Sequence, residues 1–332
     1  MSRWRSQGGY IGLRTLTGGN VYPGDNSDNS GQWDIVSPYL KQNLPPDYMG
    51  EYQYISTGSH NFTVPANVTS IAVVLVGGGG GGMYYNSSGT TYTYAMQGGG
   101  GGALVYLNPI TVTPGDILPL VVGVGGFSGA YSTGSTAGGD STFTTTAGTA
   151  TAKGGNPGRY AAQILGGLLT LGPFGGSGWY GGSSQYDGST GNGSAGGGGA
   201  GGYTAAGGFG NHRSPPTIAY SGDGGGGGGW SSTEWKSYGG AGVGIFGNVP
   251  TDIGVQGGAD TPAYGGSGGG DASTANQNAA NYGGGGGGNS SVVSGTAGAG
   301  GQGAVRIIWG QNRSFPGTNV KLSDSNGNVT VV

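Results

Sequence analysis

Apolar residues in this chain are gathered into short stretches with strand periodicity, and the stretches are separated by glycine. In HNFTVPANVTSIAVVLVG the pattern predicts a strand over His60–Val64, a Pro-Ala-Asn turn, and a second strand over Ser70–Val76. The second strand is apolar on both faces, with Ile71, Val73 and Leu75 against Ala72, Val74 and Val76, as expected of a strand covered on both sides. Further strands are predicted at Ala103–Leu107, Ile110–Val112, Ile117–Val124, Ser141–Thr145 and Gly148–Lys153. After a long gap comes Gly303–Trp309, with Val305, Ile307 and Trp309 on one face. No ten-residue window carries a helical stripe, so almost no α-helix is expected.

Composition changes the picture of what lies between the strands. There are 87 Gly and 15 Pro among 332 residues, and only 8 % of the chain is charged. Glycine at this level without a period ordinarily marks low complexity or disorder. Disordered chains, however, are poor in aromatics and rich in charge, and this one holds 20 Tyr, 7 Phe and 6 Trp. The glycines form runs at 77–82, 98–102, 196–199 (continuing through Ala200 to 201–202), 224–229, 268–270 and 283–288. Their spacing is uneven, which excludes collagen and fixed-period repeats. Two readings compete: flexible linker, or polyglycine II, an extended left-handed helix with three residues per turn whose backbone groups all point outward. Only glycine lets such helices approach closely enough to pair those groups. With this aromatic content the ordered bundle is the reading adopted, its polar connecting loops collecting at its two ends.

Charge divides the chain. Residues 1–51 hold nine charged side chains, ending at Glu51, and no other occurs before Asp116. With the loop signals PGDNSDNSGQW and NLPPDY, the region 1–51 is read as an extended attachment arm. Residues 52–310 are then a glycine-rich β domain, and 311–332 a tail. Asn326-Gly327 in that tail, between Val320–Leu322 and Val329–Val331, is a type I′ hairpin signal. Met1 to Leu13 has no apolar stretch of the secretory kind, and the longest aliphatic run, 71–76, is far short of a membrane span.

Candidate chemistry is sparse. The absence of cysteine excludes disulfides and thiolate sites, and a net charge of −3 leaves no nucleic-acid footprint. His60 and His212 have no ligand-spaced partners, and no phosphate-loop motif with its lysine occurs. GGSGGGDAS at 265–273 is like a Ca²⁺-binding nonapeptide, but Asp271 falls one position late and nothing repeats it. No catalytic residue, metal ligand or cofactor is assigned, and no enzymatic activity is expected. What the polar segments do contain is rings: Tyr84, Tyr85, Tyr92, Tyr94, Trp179, Tyr180, Tyr186, Trp230, Trp235 and Tyr238 stand among Ser, Thr, Asn and Gln. That is the composition of adaptable recognition loops, and these ten are the candidate receptor-binding residues. The competing reading is that the rings cover the glycine surface as hydrophobic mass.

Residues 55–310 resemble the glycine-rich domain of phage virion proteins, tail-fibre-like proteins of marine and cyanobacterial phages in particular. The stretches that carry it are FTVPANVTSIAVVLVGGGGGG (62–82), GGGGGALVYLNPITVTPGDILPLVVGVGG (98–126), GGYTAAGGFG (201–210), GGAGVGIFG (239–247) and GAVRIIWGQNRSFPGTN (303–319). In composition and architecture the chain is also similar to T-even-type adhesins, in which polyglycine II bundles display receptor-binding loops. The resemblance implies a fold of all-β class, a small β-sandwich-like scaffold carrying a stacked polyglycine II bundle. It implies a virion protein on the outer surface of the particle, a tail-fibre or adhesin subunit recognising a host surface glycan or outer-membrane protein. Residues 1–51 would bind other virion proteins, and a homo-oligomer, trimeric by analogy with fibres, is expected. The alternative is a capsid or tail decoration protein that binds other virion subunits.

Overall fold

A computed structural model describes residues 50–84, 96–160, 163–184, 195–210, 226, 237–248, 265, 278–289, 296–310 and 313–317, and the backbone of 320–323 and 328–331. The chain divides into two compact units, Met1–Tyr48 and Met49–Val332. The first, and with it nearly all of the expected arm, lies outside the described residues. No helix occurs among the described residues.

Among the described residues fourteen strands follow in chain order: β1 Gly50–Tyr54, β2 Gly58–Thr63, β3 Ser70–Val76, β4 Met83–Tyr84, β5 Leu104–Thr111, β6 Ile117–Val122 and β7 Gly129–Ala130. Then come β8 Ser141–Thr145, β9 Gly148–Ala152, β10 Leu169–Thr170, β11 Gly176–Trp179, β12 Ala304–Trp309, β13 Val320–Ser323 and β14 Asn328–Val331. Two five-stranded antiparallel sheets result, ordered β1-β12-β3-β5-β11 and β10-β9-β8-β6-β2. They enclose one core: Val73, Leu75, Val105, Leu107, Val305, Ile307 and Trp309 from the first, Phe62, Leu118, Leu120, Val122 and Phe143 from the second. The opposite face of the first sheet (Ala72, Val74, Val76, Ile308) is covered by Tyr203, Val243, Ile245 and Phe315. This is why β3 and β12 are apolar on both sides.

Sequence and structure agree on Ser70–Val76 and Ser141–Thr145 to the residue. They differ at Asn108-Pro109, where two strands were expected and one, β5, is continuous. Its register shifts there: Leu107 pairs with Val73 and Ile110 with Ile71, so two residues of β5 stand opposite Ala72 alone. A proline is accommodated at such a bulge because the ladder is already interrupted. Asn108 fastens the bulge through its side chain, which accepts from the Phe315 N–H at 3.0 Å and donates to the Phe315 carbonyl. In the tail, Ser323 pairs with Asn328, which places four residues, 324–327, in the connection rather than Asn326-Gly327 alone. β1 was not expected, and it takes Gly50 and Glu51 out of the arm and into the sheet.

The glycine runs continue the strands. β3 passes into 77–82, β6 into 123–129 and β9 into 153–159, while 97–103 descends into β5, 136–140 into β8 and 298–303 into β12. Their backbone hydrogen bonds recur every third residue. The amides of Gly77 and Gly80 donate to Ala103 and Gly100, those of Gly78 and Gly81 to Gly139 and Thr136, and those of Gly79 and Gly82 to Gly301 and Gly298. The carbonyls accept in the same rhythm: Gly78 and Gly81 from Gly155 and Gly158, Gly79 and Gly82 from Gly126 and Gly129, Gly80 and Met83 from Gly286 and Asn289. Residues 77–82 are therefore enclosed by six neighbouring segments, three antiparallel and three parallel. A Cβ on any of these six glycines would meet a backbone carbonyl well inside 3.0 Å, so no other residue fits there.

Candidate functional site

The scaffold has two opposite ends. The chain enters β1 at Gly50, beside Trp309 at the end of β12 remote from the glycine runs. At the other end the runs terminate in a common face. Met83 donates its amide to Gln97, Met96 bridges Tyr160, Ile164 bridges Ser184, Ser184 bridges Gly210, and Tyr84 bridges Asn289. The segments 85–95, 161–162, 185–194 and 290–295 both begin and end at this face.

Buried polar side chains cap the run ends there. Ser237 Oγ lies 2.7 Å from the Ala195 carbonyl and 2.8 Å from that of Gly288, and Ser184 Oγ donates to Gln97 Oε1 at 3.5 Å. Asn289 Nδ2 donates to the Thr296 carbonyl at 3.3 Å and Ser135 Oγ to that of Gly158 at 2.7 Å. These contacts add side-chain donors where a run stops; the Ala195 and Gly288 carbonyls accept from the Gly288 and Ser237 amides as well.

The ten ring residues predicted from sequence do not share one location. Tyr84 and Tyr238 are at the run-end face, both half-buried. Trp179 and Tyr180 sit together near the sheets, ring centroids 6.2 Å apart, with Trp179 paired to Leu104 on the edge strand β11. Tyr85, Tyr92, Tyr94, Tyr186, Trp230 and Trp235 lie outside the described residues, as does His212. Sequence reasoning missed Tyr131 and Tyr160. Their rings stand 5.7 Å apart at 86°, both are exposed, and the Tyr131 amide donates to the Tyr84 carbonyl at 2.8 Å. The signal available for them was weak, since each is a single Tyr flanked by a run end rather than part of an aromatic segment.

No group of three or more His, Cys, Asp or Glu able to hold a metal ion occurs among the described residues. His60 donates from Nε2 to the Ser56 carbonyl at 2.7 Å, a strand-end contact. Among the described residues, a charged cluster is found at the entry end. Glu51 Oε2 accepts from Arg306 Nη2 at 2.5 Å and from Arg313 Nη2 at 2.9 Å, and all three side chains are buried. Arg306 also donates to the Ile245 carbonyl and lies 4.6 Å over the Phe246 ring. Burial alone would raise the Glu51 carboxyl, but hydrogen bonding and charge from Arg306, with Gln53 and Arg313 adding to them, hold it below its ordinary value. Burial lowers Arg313, with Glu51 opposing. Burial also raises the Tyr203 phenol, which keeps it a neutral acceptor for the Gly247 amide.

These features define an all-β domain whose strands run on into packed glycine segments and present a polar, ring-bearing end face. The chain belongs to the glycine-rich domain family, whose model matches residues 55–310. No match is found among curated proteins.

Proposed function

We propose that this protein is a structural component of a phage virion, a tail-fibre or adhesin subunit that binds a receptor on the host surface through the run-end face. The observation that supports this most directly is polarity. The chain enters the domain at Gly50, at one end, while the runs release their connecting segments at the other. A domain fastened by residues 1–51 to other virion proteins would so hold its connecting segments outward. The hydrogen bonds recurring every third residue support reading the runs as polyglycine II rods, and in that conformation 77–82 would extend about 19 Å. Such rods form a stiff mount on which rings are positioned without a large hydrophobic core. Individual contacts would be weak, and several copies per particle, in a trimer or other homo-oligomer, would multiply them.

The test is location and competition. Antibody-gold labelling of particles that carry the protein is expected to mark distal tail tips, and purified full-length protein is expected to reduce adsorption to host cells. Labelling confined to a capsid lattice or tail shaft, with adsorption unchanged by excess protein, would instead establish a decoration protein.

A further inference from the structure

We infer that copies of this chain assemble side by side, an apolar stripe on one flank of the glycine bundle packing on a different apolar stripe of the next copy. The first stripe is Val124 and Phe127, in the run that continues β6. The second is Leu165 and Leu168, in the run that leads into β10. These four residues are 45 %, 71 %, 53 % and 62 % exposed, while Gly126, Gly166 and Gly167 between them are buried. In each stripe the two members are three residues apart, roughly 9–10 Å along an extended backbone.

Hydrogen-bonded rows across the bundle set the height of each member. The Leu168 carbonyl accepts from the Lys153 amide at 2.9 Å, the Lys153 carbonyl from Ala103 at 3.0 Å, and the Ala103 carbonyl from Gly77 at 2.9 Å. Leu165 is joined in the same way through Asn156 and Gly100 to Gly80. On the other flank Val124 is joined through Gly139 to Gly78, and Phe127 through Thr136 to Gly81. The second stripe is thus level with Gly77 and Gly80, and the first with Gly78 and Gly81. The two stripes have one spacing and are staggered by a single residue. Set against each other at equal height, their side chains interleave.

A second copy supplies the matching surface. Thr136, Lys153, Asn156 and Arg159 are exposed between the stripes, so the stripes are two separate patches with a polar border, as an interface core and rim require. A contact that joins two different patches is heterologous. Runs 136–140 and 153–159, bonded to each other through Gly138 and Gly155, separate the patches on this side, so they do not stand back to back. Successive copies therefore turn about a common axis, and at equal height that rotation closes a ring rather than climbing into a filament. All entry ends then point one way and all run-end faces the other. Both stripes are mounted on packed backbone, so little ordering opposes the contact. The assembly is independent of what the run-end face binds.

Sedimentation velocity on the full-length protein tests this. The parent is expected to form one species of three or more copies at concentrations up to about 100 μM. Phe127→Glu and Leu168→Glu each place a charge in one stripe, and each should move association to at least about tenfold higher concentration. Each variant keeps one intact stripe, and the two intact stripes are complementary. Their equimolar mixture should therefore associate more tightly than either variant alone and stop at a dimer. Ile117→Glu changes an exposed apolar residue at the far end of β6 and should assemble as the parent does. Matching melting profiles establish that the variants are folded. A parent that stays monomeric or stops at a dimer overturns the inference. So do stripe variants that assemble like the parent, a mixture no better than its components, or dispersal by Ile117→Glu.

Discussion

Replacing Glu51 tests whether the first strand is locked to the domain by charge. The carboxylate lies in a buried cluster with two guanidiniums, at 2.5 Å from Arg306 and 2.9 Å from Arg313. Removing it takes this carboxylate from two buried guanidiniums, and breaking a buried pair in this way costs roughly 3–5 kcal/mol. Glu51→Ala is therefore expected to destabilise the domain by that amount. In a unit of this size, where each kcal/mol moves the midpoint by roughly 2–4 °C, the melting temperature should fall by on the order of 10 °C. Glu51→Gln keeps an acceptor for one arginine but not the charge, and should lose about half as much. The coupling is also specific. In Glu51→Ala/Arg313→Ala the second change removes one of the two guanidiniums that lost this carboxylate, so the double variant should be less destabilised than the two singles predict together. Scanning calorimetry on the parent and four variants, Arg313→Ala alone included, measures all of this. Acid provides an independent reading. The folded carboxyl titrates below its ordinary value of 4.5, so its stabilisation is complete above that pH and is lost as pH falls through the lower folded value. This part of the acid slope should vanish in Glu51→Gln, which cannot take up the proton. If both single variants melt within ~0.5 kcal/mol of the parent, or the acid slope persists in Glu51→Gln, the cluster does not hold β1.

Three further outcomes follow from the same contacts. A methyl group at Gly79 would be driven into the Gly284 carbonyl at the centre of the six-fold packing, so Gly79→Ala should cost at least ~3 kcal/mol by overpacking and broken hydrogen bonds. Gly317→Ala, where a Cβ meets nothing within 4 Å, should be neutral within ~0.5 kcal/mol, and thermal melts of the two separate lattice crowding from generic glycine effects. A chain trimmed to 55–310 lacks β1, Arg313 and Phe315, and so uncovers both the edge of β12 and part of the second core. It should be protease-sensitive while 49–317 resists. Removing the Ser237 hydroxyl by Ser237→Ala takes one shared donor from the Ala195 and Gly288 carbonyls, which keep the Gly288 and Ser237 amides. It should cost about 0.5–1.5 kcal/mol and, in hydrogen exchange, loosen the run-end face before the sheets.

Which parts of this fold could be read from the chain depends on how local their cause is. Strands with their own apolar pattern, such as β3, β8 and β12, declare themselves because burial on the sheet faces is written into neighbouring residues. β1 does not, since GEYQY alternates only two tyrosines with polar residues, and Glu51 meets Arg306 and Arg313 more than 250 positions away. The ring residues fall between these cases. Tyr and Trp mark polar segments, but the run at which each segment starts decides its end of the molecule, and this separates Tyr84 and Tyr238 from Trp179 and Tyr180. The glycine runs carry a further signal, legible once the three-residue recurrence is known. Pure runs such as 77–82, 98–102 and 283–288 are buried throughout. Where a run lies on the outside, every third residue is free to be larger: Lys153, Asn156 and Arg159 are exposed while Gly155 and Gly158 are buried, and Leu165 and Leu168 are exposed while Gly166 and Gly167 are buried. Val124 and Phe127 repeat the spacing. A segment whose hydrogen bonds recur every third residue can turn the same side outward at that interval, so the interruptions in a glycine run report its depth. Unbroken glycine marks the interior of the bundle and G-G-X its surface. Apolar residues at X, as at 124, 127, 165 and 168, then record which flanks of the bundle carry hydrophobic side chains into solvent.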